Sequence, residues 1–313
     1  MMITIPLLDL NRFQTDRTAF IQEVGQAYKE FGFCRFYNHG IDPALIDDVY
    51  QAFKNFFFLP SETKLRYFSP DLVGKRGYTP FKKETAKNSN HPDLKEFWHV
   101  GRSNLPENHP YHSWMHPNVW PYEVPNLRRV STELYSEMEQ LGREILSVLA
   151  LAIDLPEHYF DDKTQYGNSI LRALHYPPIQ TTDAPCIRAQ AHEDISLITL
   201  LLGAQGGGLE VQHNNGQWIP IVSSADEIVV NVGDMMQRLT NHVYRSTTHR
   251  VVNPDHHVNQ SRFSLPFFMD PNPDFLITTL PQCITPDNPN RYPQPILAND
   301  YLIERLTEIK LVS

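Results

Sequence analysis

Three residues, His192, Asp194 and His249, constrain this chain more than any other feature of its sequence. His192 and Asp194 are separated by one residue, and residues i and i+2 of an extended strand point to the same side. Two imidazoles and one carboxylate on one face of a metal, with open positions opposite, form the donor set of non-haem Fe(II) centres. The spacing therefore predicts a metal site from which the intervening Glu193 faces away.

The segments that carry these donors have the composition of β-strands. Residues 195–201 are rich in β-branched side chains, and the run 246–252 ends at Asn253-Pro254. A strand through His192 and Asp194 would deliver two donors together, and a distant strand would supply His249. Such convergence of distant strands is typical of a barrel.

A His-x-Asp pair alone is weak evidence. With 14 histidines in 313 residues, roughly one such pair is expected by chance, and a second copy occurs at His91-Pro92-Asp93. That copy lies in a stretch rich in Asn and Pro, where a loop is favoured over a strand. We therefore expect His91 and Asp93 not to bind a metal.

Arg262-Phe263-Ser264 follows His249 in another strand-like run, which begins with alternating polar and apolar residues and then becomes apolar. If this run is a strand, Arg262 and Ser264 share a face. A guanidinium on an apolar strand is costly unless an anion pairs with it. Arginine also binds a carboxylate through two parallel hydrogen bonds. The pair indicates an anchor for a metal-bound dicarboxylate, and the alternative is an ordinary ion pair with Asp or Glu.

These motifs, in this order, resemble the isopenicillin N synthase-like branch of the Fe(II)/2-oxoglutarate-dependent oxygenases. Further matching segments run nearly from end to end of the chain, including GFCRFYNHGI at 32–41 and FFLPSETK at 57–64. The complete set of matching segments is 5–10, 31–41, 57–64, 76–78, 192–199, 207–211, 231–234, 249–251 and 262–264.

The resemblance implies a role for each site residue. It makes His192, Asp194 and His249 the iron ligands. It places Arg262, Ser264 and Tyr176 around the distal carboxylate of 2-oxoglutarate. Many relatives have Asn two residues before that tyrosine, whereas this chain has Leu174.

The implied reaction oxidises a C–H bond of a small molecule with O2, while 2-oxoglutarate is converted to succinate and CO2. Hydroxylation is the expected outcome, although desaturation and ring closure use the same oxidant. One alternative is an Fe(II) oxidase like isopenicillin N synthase, which works without 2-oxoglutarate and shares the Arg-x-Ser pair. The others are a non-catalytic ligand-binding protein on the same scaffold and a zinc hydrolase, which would leave the Arg-x-Ser pair unexplained.

Composition limits the partners and the compartment. The chain carries 27 basic and 36 acidic residues, a net charge of −9, with no basic run longer than two, so nucleic-acid binding has little support. Three unpatterned cysteines suit a reducing compartment. No apolar stretch approaches the ~20 residues of a membrane span, and no signal region begins the chain. We expect a cytoplasmic protein without membrane or nucleic-acid partners.

The pattern of elements predicts an α+β fold with a double-stranded β-helix, or jelly-roll, core flanked by N-terminal helices and a C-terminal helix. We expect an N-terminal region over 1–125 and an oxygenase core over 126–313. Helices are expected over 16–31 and 43–58, from Leu127 to a stop at Pro156, and over 299–311. The stretch 69–125 is expected to be loop, and 168–279 short strands joined by turns.

The substrate pocket is expected to form from the 69–120 region and the loops at the barrel mouth. The side chains that we expect to face it are Lys75, Arg76, Tyr78, Phe97 and Trp98. The cationic pair Lys75-Arg76 would suit a substrate that bears a carboxylate, although solvated surface charge explains it equally well.

Overall fold

Two β-sheets that share a buried apolar layer form the centre of the molecule. The computed structural model describes residues 3–72, 75–86, 90–180, 183 and 185–308. Eight consecutive strands contribute four to each sheet and change sheet at every connection except one, which is the double-stranded β-helix that the sequence predicted. Their bounds are β5 Ile170–Tyr176, β6 Ala189–His192, β7 Ile198–Gln205, β8 Leu209–Gln212, β9 Trp218–Pro220, β10 Glu227–Val232, β11 His249–Val251 and β12 Arg262–Met269.

The larger sheet contains β10, β7, β12 and β5 as antiparallel neighbours in that order, and the smaller sheet has the order β6-β11-β8-β9. Apolar side chains from both sheets meet between them, among them Leu174, Val211 and Val229. The strands of the barrel therefore bury one face against each other, and the larger sheet has its other face free to bind helices.

Four N-terminal strands extend the larger sheet at both edges. They are β1 Leu7–Asp9, β2 Phe33–Tyr37, β3 Gly77–Thr79 and β4 Glu96–Gly101. β2 pairs with β10 on one side, β4 pairs with β5 on the other, and β1 is the parallel partner of β2. The expectation of a loop over 69–125 was wrong for β3 and β4, whose residues are all buried.

Helices cover the outer face of the larger sheet. The four longest of the eight described α-helices were predicted, and the four short ones were not. Their bounds are α1 Arg12–Thr15, α2 Arg17–Glu30, α3 Pro43–Phe57, α4 Ser61–Leu65, α5 Leu127–Leu151, α6 Asp161–Thr164, α7 Asp234–Leu239 and α8 Ala298–Glu308. Asp42 caps α3 by accepting a 2.9 Å hydrogen bond from the amide of Ala44, with Pro43 in the first turn. Residues 309–311 of the predicted C-terminal helix lie outside the described residues.

The long helix α5 provides the apolar layer between the sheet and the other helices. Its buried side chains recur at three- and four-residue spacing, as in Leu127, Val130 and Leu134, and all three are fully buried. The helix ends at Leu151, earlier than the predicted stop at Pro156. Asp154 already has a left-handed backbone with φ of +60°, which a helix does not continue through.

Two smaller elements complete the fold. β13 Leu276–Ile277 and β14 Ile296–Leu297 form a short antiparallel pair that leads into α8. Within the described ranges, no helix has both the length and the apolar composition needed to cross a bilayer.

Substitution Leu134→Ala tests the packing of α5. Leu134 is fully buried, so its loss should lower the free energy of unfolding by about 2–5 kcal/mol. Urea denaturation followed by circular dichroism measures this change. The control Glu137→Ala, on the exposed face of the same helix, should stay within about 0.5 kcal/mol of the wild type. Equal effects of the two substitutions would contradict the burial of this face.

Candidate active site

The two predicted metal-binding histidines lie opposite each other on adjacent strands of the smaller sheet. His192 ends β6, His249 begins β11, and the two are register partners in the antiparallel pair. One donor atom from each of His192, Asp194 and His249 lies within 4.8 Å of the other two. The structure thus brings the three donors together, although Asp194 lies two residues beyond the end of β6 and not within a strand.

Hydrogen bonds fix the tautomers of both imidazoles. Nδ1 of His192 lies 2.7 Å from the carbonyl oxygen of Gln190, and Nδ1 of His249 lies 3.1 Å from that of Thr247. Because a carbonyl oxygen can only accept, Nδ1 carries the proton and Nε2 keeps its lone pair. Nε2 is therefore the atom that each imidazole offers to a metal, as metal-binding histidines do when their other nitrogen donates to a carbonyl.

Asp194 supplies the negative charge of the site. Its Oδ2 accepts a 2.8 Å hydrogen bond from the amide of Asn231, and its Oδ1 lies 3.7 Å from Nε2 of His249. Burial opposes ionisation, but the imidazoles of His249 and His192 and the Asn231 amide outweigh it and lower the pKa of Asp194. Two imidazole lone pairs and one carboxylate fit Fe(II).

A glycine allows a second chain segment to approach Asp194 closely. The amide of Asp234 donates a 2.7 Å hydrogen bond to the carbonyl of Asp194. A Cβ at Gly233 would collide with the carbonyl oxygen of Ser196 and lie 2.9 Å from that of Asp194. Any side chain at 233 would push this backbone away. The segment 231–234 therefore positions Asp194 through both the Asn231 amide and this close contact.

Glu193 does not take part in the metal group, as the sequence predicted. Its carboxylate accepts a hydrogen bond from the hydroxyl of Thr248, the residue before His249. This contact links the end of β6 to the start of β11.

Arg262, Ser264 and Tyr176 form a second polar group, on the larger sheet. Arg262 pairs in register with Tyr176 across β12 and β5, and its guanidinium lies 5.0 Å from the centre of the tyrosine ring. It donates a 3.1 Å hydrogen bond to the hydroxyl of Ser264 and a 3.3 Å hydrogen bond to the carbonyl of Gly206. Leu174 lies opposite Ser264 in the same strand pair.

The charge of Arg262 has no protein counter-ion among the residues that the structure describes. Its side chain is 2% exposed, and its hydrogen-bond acceptors are a neutral hydroxyl and a backbone carbonyl. The structure therefore excludes the alternative of an ordinary ion pair with a described Asp or Glu. A buried cation without a partner is unfavourable unless a ligand supplies the anion.

His192 and Asp194 border a cleft of about 910 Å³, and Arg262 borders a separate cavity of about 660 Å³. Of the five side chains expected to face the substrate, Lys75 and Arg76 border the cleft. The expectation was wrong for Tyr78, Phe97 and Trp98, which are buried in the two cores. They lie in β3 and β4, so their side chains pack within the sheet layers and not in a loop above the cleft.

One wall of the cleft is a charged network that sequence reasoning missed. Nζ of Lys95 lies 2.6 Å from Glu84 and 2.8 Å from Asp93. Arg172 lies 3.3 Å from Glu84 and donates a 2.6 Å hydrogen bond to His99. Lys95, Phe97 and His99 alternate in sequence, which is the signal of a strand face, but the surrounding stretch was interpreted as loop.

The carboxylate of the second His-x-Asp pair is engaged by other protein groups. Asp93 is occupied by Lys95 and by the amide of Gln190, which donates a 3.0 Å hydrogen bond to it. Among the described residues, His192, Asp194 and His249 are the only group of three or more His, Cys, Asp or Glu side chains with donor atoms close enough to share an ion. The absence of a strand at His91 is also as predicted.

Asp270, directly after β12, adds an unpaired carboxyl group to the cleft. It is 7% exposed, and its side chain makes no hydrogen bond or ion pair with the described part of the chain, although its amide donates to Ser169 at 3.1 Å. Burial raises the pKa of Asp270 to about 8, and the charge of Asp194 adds to this shift. The group is therefore mostly protonated at neutral pH.

Comparison with known proteins agrees with the fold and the site. The N-terminal model of the non-haem dioxygenases in morphine synthesis matches residues 5–123, and the model of the 2OG-Fe(II) oxygenase superfamily matches residues 167–271. The 2-oxoglutarate-Fe(II) type oxidoreductase hxnY of Emericella nidulans is 34% identical over 309 residues, covering 94% of this chain and 87% of that protein. The 2-oxoglutarate-dependent dioxygenase citB of Monascus ruber is 35% identical over 294 residues, covering 88% and 87%.

Solved structures show the same architecture. A 2OG-Fe(II) oxygenase family protein from Caulobacter crescentus superposes with a TM-score of 0.90 at 44% identity, covering 98% of this chain and all of that one. A Neurospora crassa protein, solved at full length in complex with α-ketoglutarate and thymine, superposes with a TM-score of 0.84 at 28% identity, covering 97% and 96%.

The double-stranded β-helix with its His-Asp-His group defines a non-haem Fe(II) oxygenase. The chain belongs to the 2OG-Fe(II) oxygenase superfamily, as its resemblance to the isopenicillin N synthase-like branch implied. It is a 2-oxoglutarate-dependent dioxygenase, with Fe(II) as its metal and 2-oxoglutarate as its cosubstrate.

The raised pKa of Asp270 predicts a pH effect on the stability of the metal-free protein. Between pH of about 4 and 8 the folded state keeps a proton that the unfolded state has lost, so wild-type stability falls as pH rises, by at most about 1.4 kcal/mol per pH unit from this group. Asp270→Asn removes this contribution. Urea unfolding of both proteins should show that the free energy of unfolding of the variant, relative to that of the wild type, is higher at pH 8 than at pH 5. A difference that is independent of pH would contradict the raised pKa.

Proposed function

We propose that this enzyme hydroxylates a C–H bond of a small molecule, with conversion of 2-oxoglutarate to succinate and CO2. The observation that carries the proposal is the combination of a converging His-Asp-His group with a buried arginine that lacks a protein counter-ion in the described chain. A small-molecule substrate is supported by the Neurospora crassa protein, which has been solved with thymine. It is also supported by a cleft of about 910 Å³, the size of a small-molecule site.

His192, Asp194 and His249 are proposed as the iron ligands. Nε2 of each imidazole and Oδ1 of Asp194 would hold the Fe(II). The carbonyls of Gln190 and Thr247 keep the imidazoles in the binding tautomer, and the Asn231 amide orients the carboxylate.

Arg262, Ser264 and Tyr176 are proposed to hold the distal carboxylate of 2-oxoglutarate. The guanidinium supplies the charge and a planar pair of donors, and the two hydroxyls add further hydrogen bonds. The carbonyl of Gly206 accepts a hydrogen bond from Nε of Arg262, which fixes the orientation of the guanidinium. Leu174, opposite Ser264, is apolar where many relatives have Asn, so this chain has one fewer polar group at the anchor.

When bound, the iron and 2-oxoglutarate supply the oxidising chemistry, in which O2 is consumed, 2-oxoglutarate loses CO2 and the substrate gains a hydroxyl group. The protein positions the reactants and excludes water. The apolar side chains of Leu302, Ile303 and Leu306 in α8 border the cleft and cover it on one side. The network around Lys95 gives another wall a fixed arrangement, because its acids and bases already pair with one another.

The alternative functions have less support. A cosubstrate-free oxidase is disfavoured by relatives that are named 2-oxoglutarate-dependent dioxygenases. A non-catalytic binding protein would have no use for three converging metal donors. Zinc hydrolysis leaves Arg262 without a role.

A reducing compartment, the cytoplasm, is proposed as the site of action. All three cysteines, Cys34, Cys186 and Cys283, are free, which is usual where thiols stay reduced. The net charge of −9 favours small-molecule partners over nucleic acid.

His249→Ala tests the iron assignment. With one of three protein ligands removed, the site should no longer hold a labile divalent ion through desalting, and iron content should fall from about one equivalent to near zero. Metal analysis of anaerobically loaded protein measures this. The control His257→Ala, in an exposed turn, should keep its iron. Stoichiometric iron in His249→Ala would refute the assignment.

Arg262→Ala tests the 2-oxoglutarate anchor. The variant should lose at least about tenfold in 2-oxoglutarate affinity, because a charged hydrogen-bond partner is removed, while its iron content is unchanged. Anaerobic calorimetry on the Fe(II)-loaded protein measures the affinity. Arg250→Ala is the matched control, since Arg250 lies on another barrel strand but pairs with Glu210. Near-wild-type affinity in Arg262→Ala would contradict the assignment.

A further inference from the structure

Four side chains that border the cleft have polar atoms without a hydrogen-bond partner among the described residues. One of them, Arg305, leaves only its Nε unpartnered, because its Nη atoms pair with Asp234 and Glu308. The other three are Arg76, Asn168 and Asp270. Nε and Nη2 of Arg76 and Oδ1 of Asn168 are buried without a hydrogen-bond partner, and the carboxyl group of Asp270 has none either. Buried polar groups in folded proteins are almost always hydrogen-bonded. Several unpartnered groups in one cleft therefore indicate a ligand that completes them.

The register of the larger sheet places these groups at one end of the cleft. Ile170, the first residue of β5, is the register partner of Gly101 in β4. On its other side, Ile170 is paired with Phe268 in β12. Asn168 lies two residues before Ile170, and Asp270 lies two residues after Phe268. The ends of three adjacent strands thus place Asn168, Asp270 and Gly101 at the same end of the larger sheet.

Arg76 reaches the same place from the segment before β3. A Cβ at Gly101 would overlap the guanidinium carbon and two of its nitrogens, so the guanidinium lies directly against this glycine. Arg76 is 4% exposed, and its one hydrogen bond runs from Nη1 to the carbonyl of Lys75 at 2.7 Å. Burial lowers the pKa of Arg76 to about 10, and the group is still charged at neutral pH. This excludes the alternative of solvated surface charge for Arg76.

The other buried cations in the cleft wall are already paired. Lys95 contacts Glu84 and Asp93, and Arg172 contacts Glu84. Arg76 is therefore the buried cation of this wall whose donors remain free for a ligand, within the described residues. The planar guanidinium of Arg76 can bind both oxygens of a carboxylate through parallel hydrogen bonds.

We propose that this end of the cleft binds a carboxylate group of the substrate through Arg76, and that Asn168 and Asp270 hydrogen-bond an amino or hydroxyl group beside it. The inference rests on the proposed function, because it names the substrate class of the same cleft. The substrate is then a small amino or hydroxy carboxylic acid. Its oxidised carbon lies toward the His-Asp-His group, and its carboxylate lies against Gly101.

Binding is tested by calorimetry on anaerobic Fe(II)-loaded protein with saturating 2-oxoglutarate. The probes are amino and hydroxy carboxylic acids of about four to ten carbons, each paired with its carboxamide, which has nearly the same shape but no charge. At least one acid should bind, and its carboxamide should bind at least about tenfold more weakly. Equal affinity within every pair, or no binding by any acid, would overturn the proposal.

Two variants separate binding from packing. Arg76→Met should weaken acid binding at least about tenfold and leave its melting temperature equal or higher, because it removes a buried unpartnered charge. Gly101→Ala keeps that charge but displaces the guanidinium, and should also weaken acid binding. The control Arg129→Met removes an exposed charge on α5 and should change neither quantity. Undiminished acid binding with a lowered melting temperature in Arg76→Met would assign Arg76 to packing alone.

The same titration without 2-oxoglutarate, in an Arg262→Ala background, distinguishes the role proposed for Arg76 from the proposed function. Acid binding that survives there and is lost on adding Arg76→Met supports Arg76 as the anchor, whatever happens to 2-oxoglutarate. Acid binding that depends on Arg262 and not on Arg76 overturns it. Failure of 2-oxoglutarate to bind the wild type would instead contradict the proposed function.

Discussion

The pairing of β6 with β11 is the constraint on which the site depends. Direct register between His192 and His249 places two imidazoles side by side, with ring centres 4.4 Å apart. A slip of one residue would turn one of them to the opposite face of the sheet. The third donor is fixed less directly, by the close approach of Gly233 and the Asn231 amide to the turn that carries Asp194. The barrel strands therefore set the positions of the two histidines, and contacts from the segment 231–234 set the position of Asp194.

The larger sheet carries two further polar groups that are proposed to bind ligands. It carries the proposed 2-oxoglutarate anchor at the start of β12 and the unpaired Asp270 just past its end. Both ends of that strand expose buried polar groups to ligands, and the apolar residues between them pack on α5 and β7. Unsatisfied charge at Arg262 and Arg76 costs stability in the free protein. We interpret this cost as the consequence of having sites that are formed before their ligands arrive.

Much of this arrangement could be predicted from the sequence. Alternation and β-branched residues predicted the barrel strands, three- and four-residue spacing predicted α5, and the His-x-Asp pair with His249 and Arg262 predicted the polar groups, since each is a local pattern. The strand β4 could not be recognised in the same way. Its neighbours are rich in Pro, Asn and His, and it is stabilised by pairing with β5, which is distant in sequence.

The substrate end of the cleft was predictable only in part for the same reason. Lys75 and Arg76 stood out as a cationic pair, but only the fold shows that Arg76 is buried against Gly101. Asp270 and Asn168 belong to no sequence motif. They border the same cleft because three neighbouring strands end at the same edge of the sheet. The partners of Lys95 and Arg172 likewise come from separate segments, so their pairing follows from tertiary structure alone.

The central claim is that one barrel holds Fe(II) and 2-oxoglutarate together, and anaerobic titration of the Fe(II)-loaded protein with 2-oxoglutarate tests it most directly. Chelation of the iron by the keto-acid end should give a visible charge-transfer band that saturates at one equivalent. Absence of the band in protein with confirmed iron would contradict the account, and would make Arg262 an anchor for a substrate carboxylate in a cosubstrate-free oxidase.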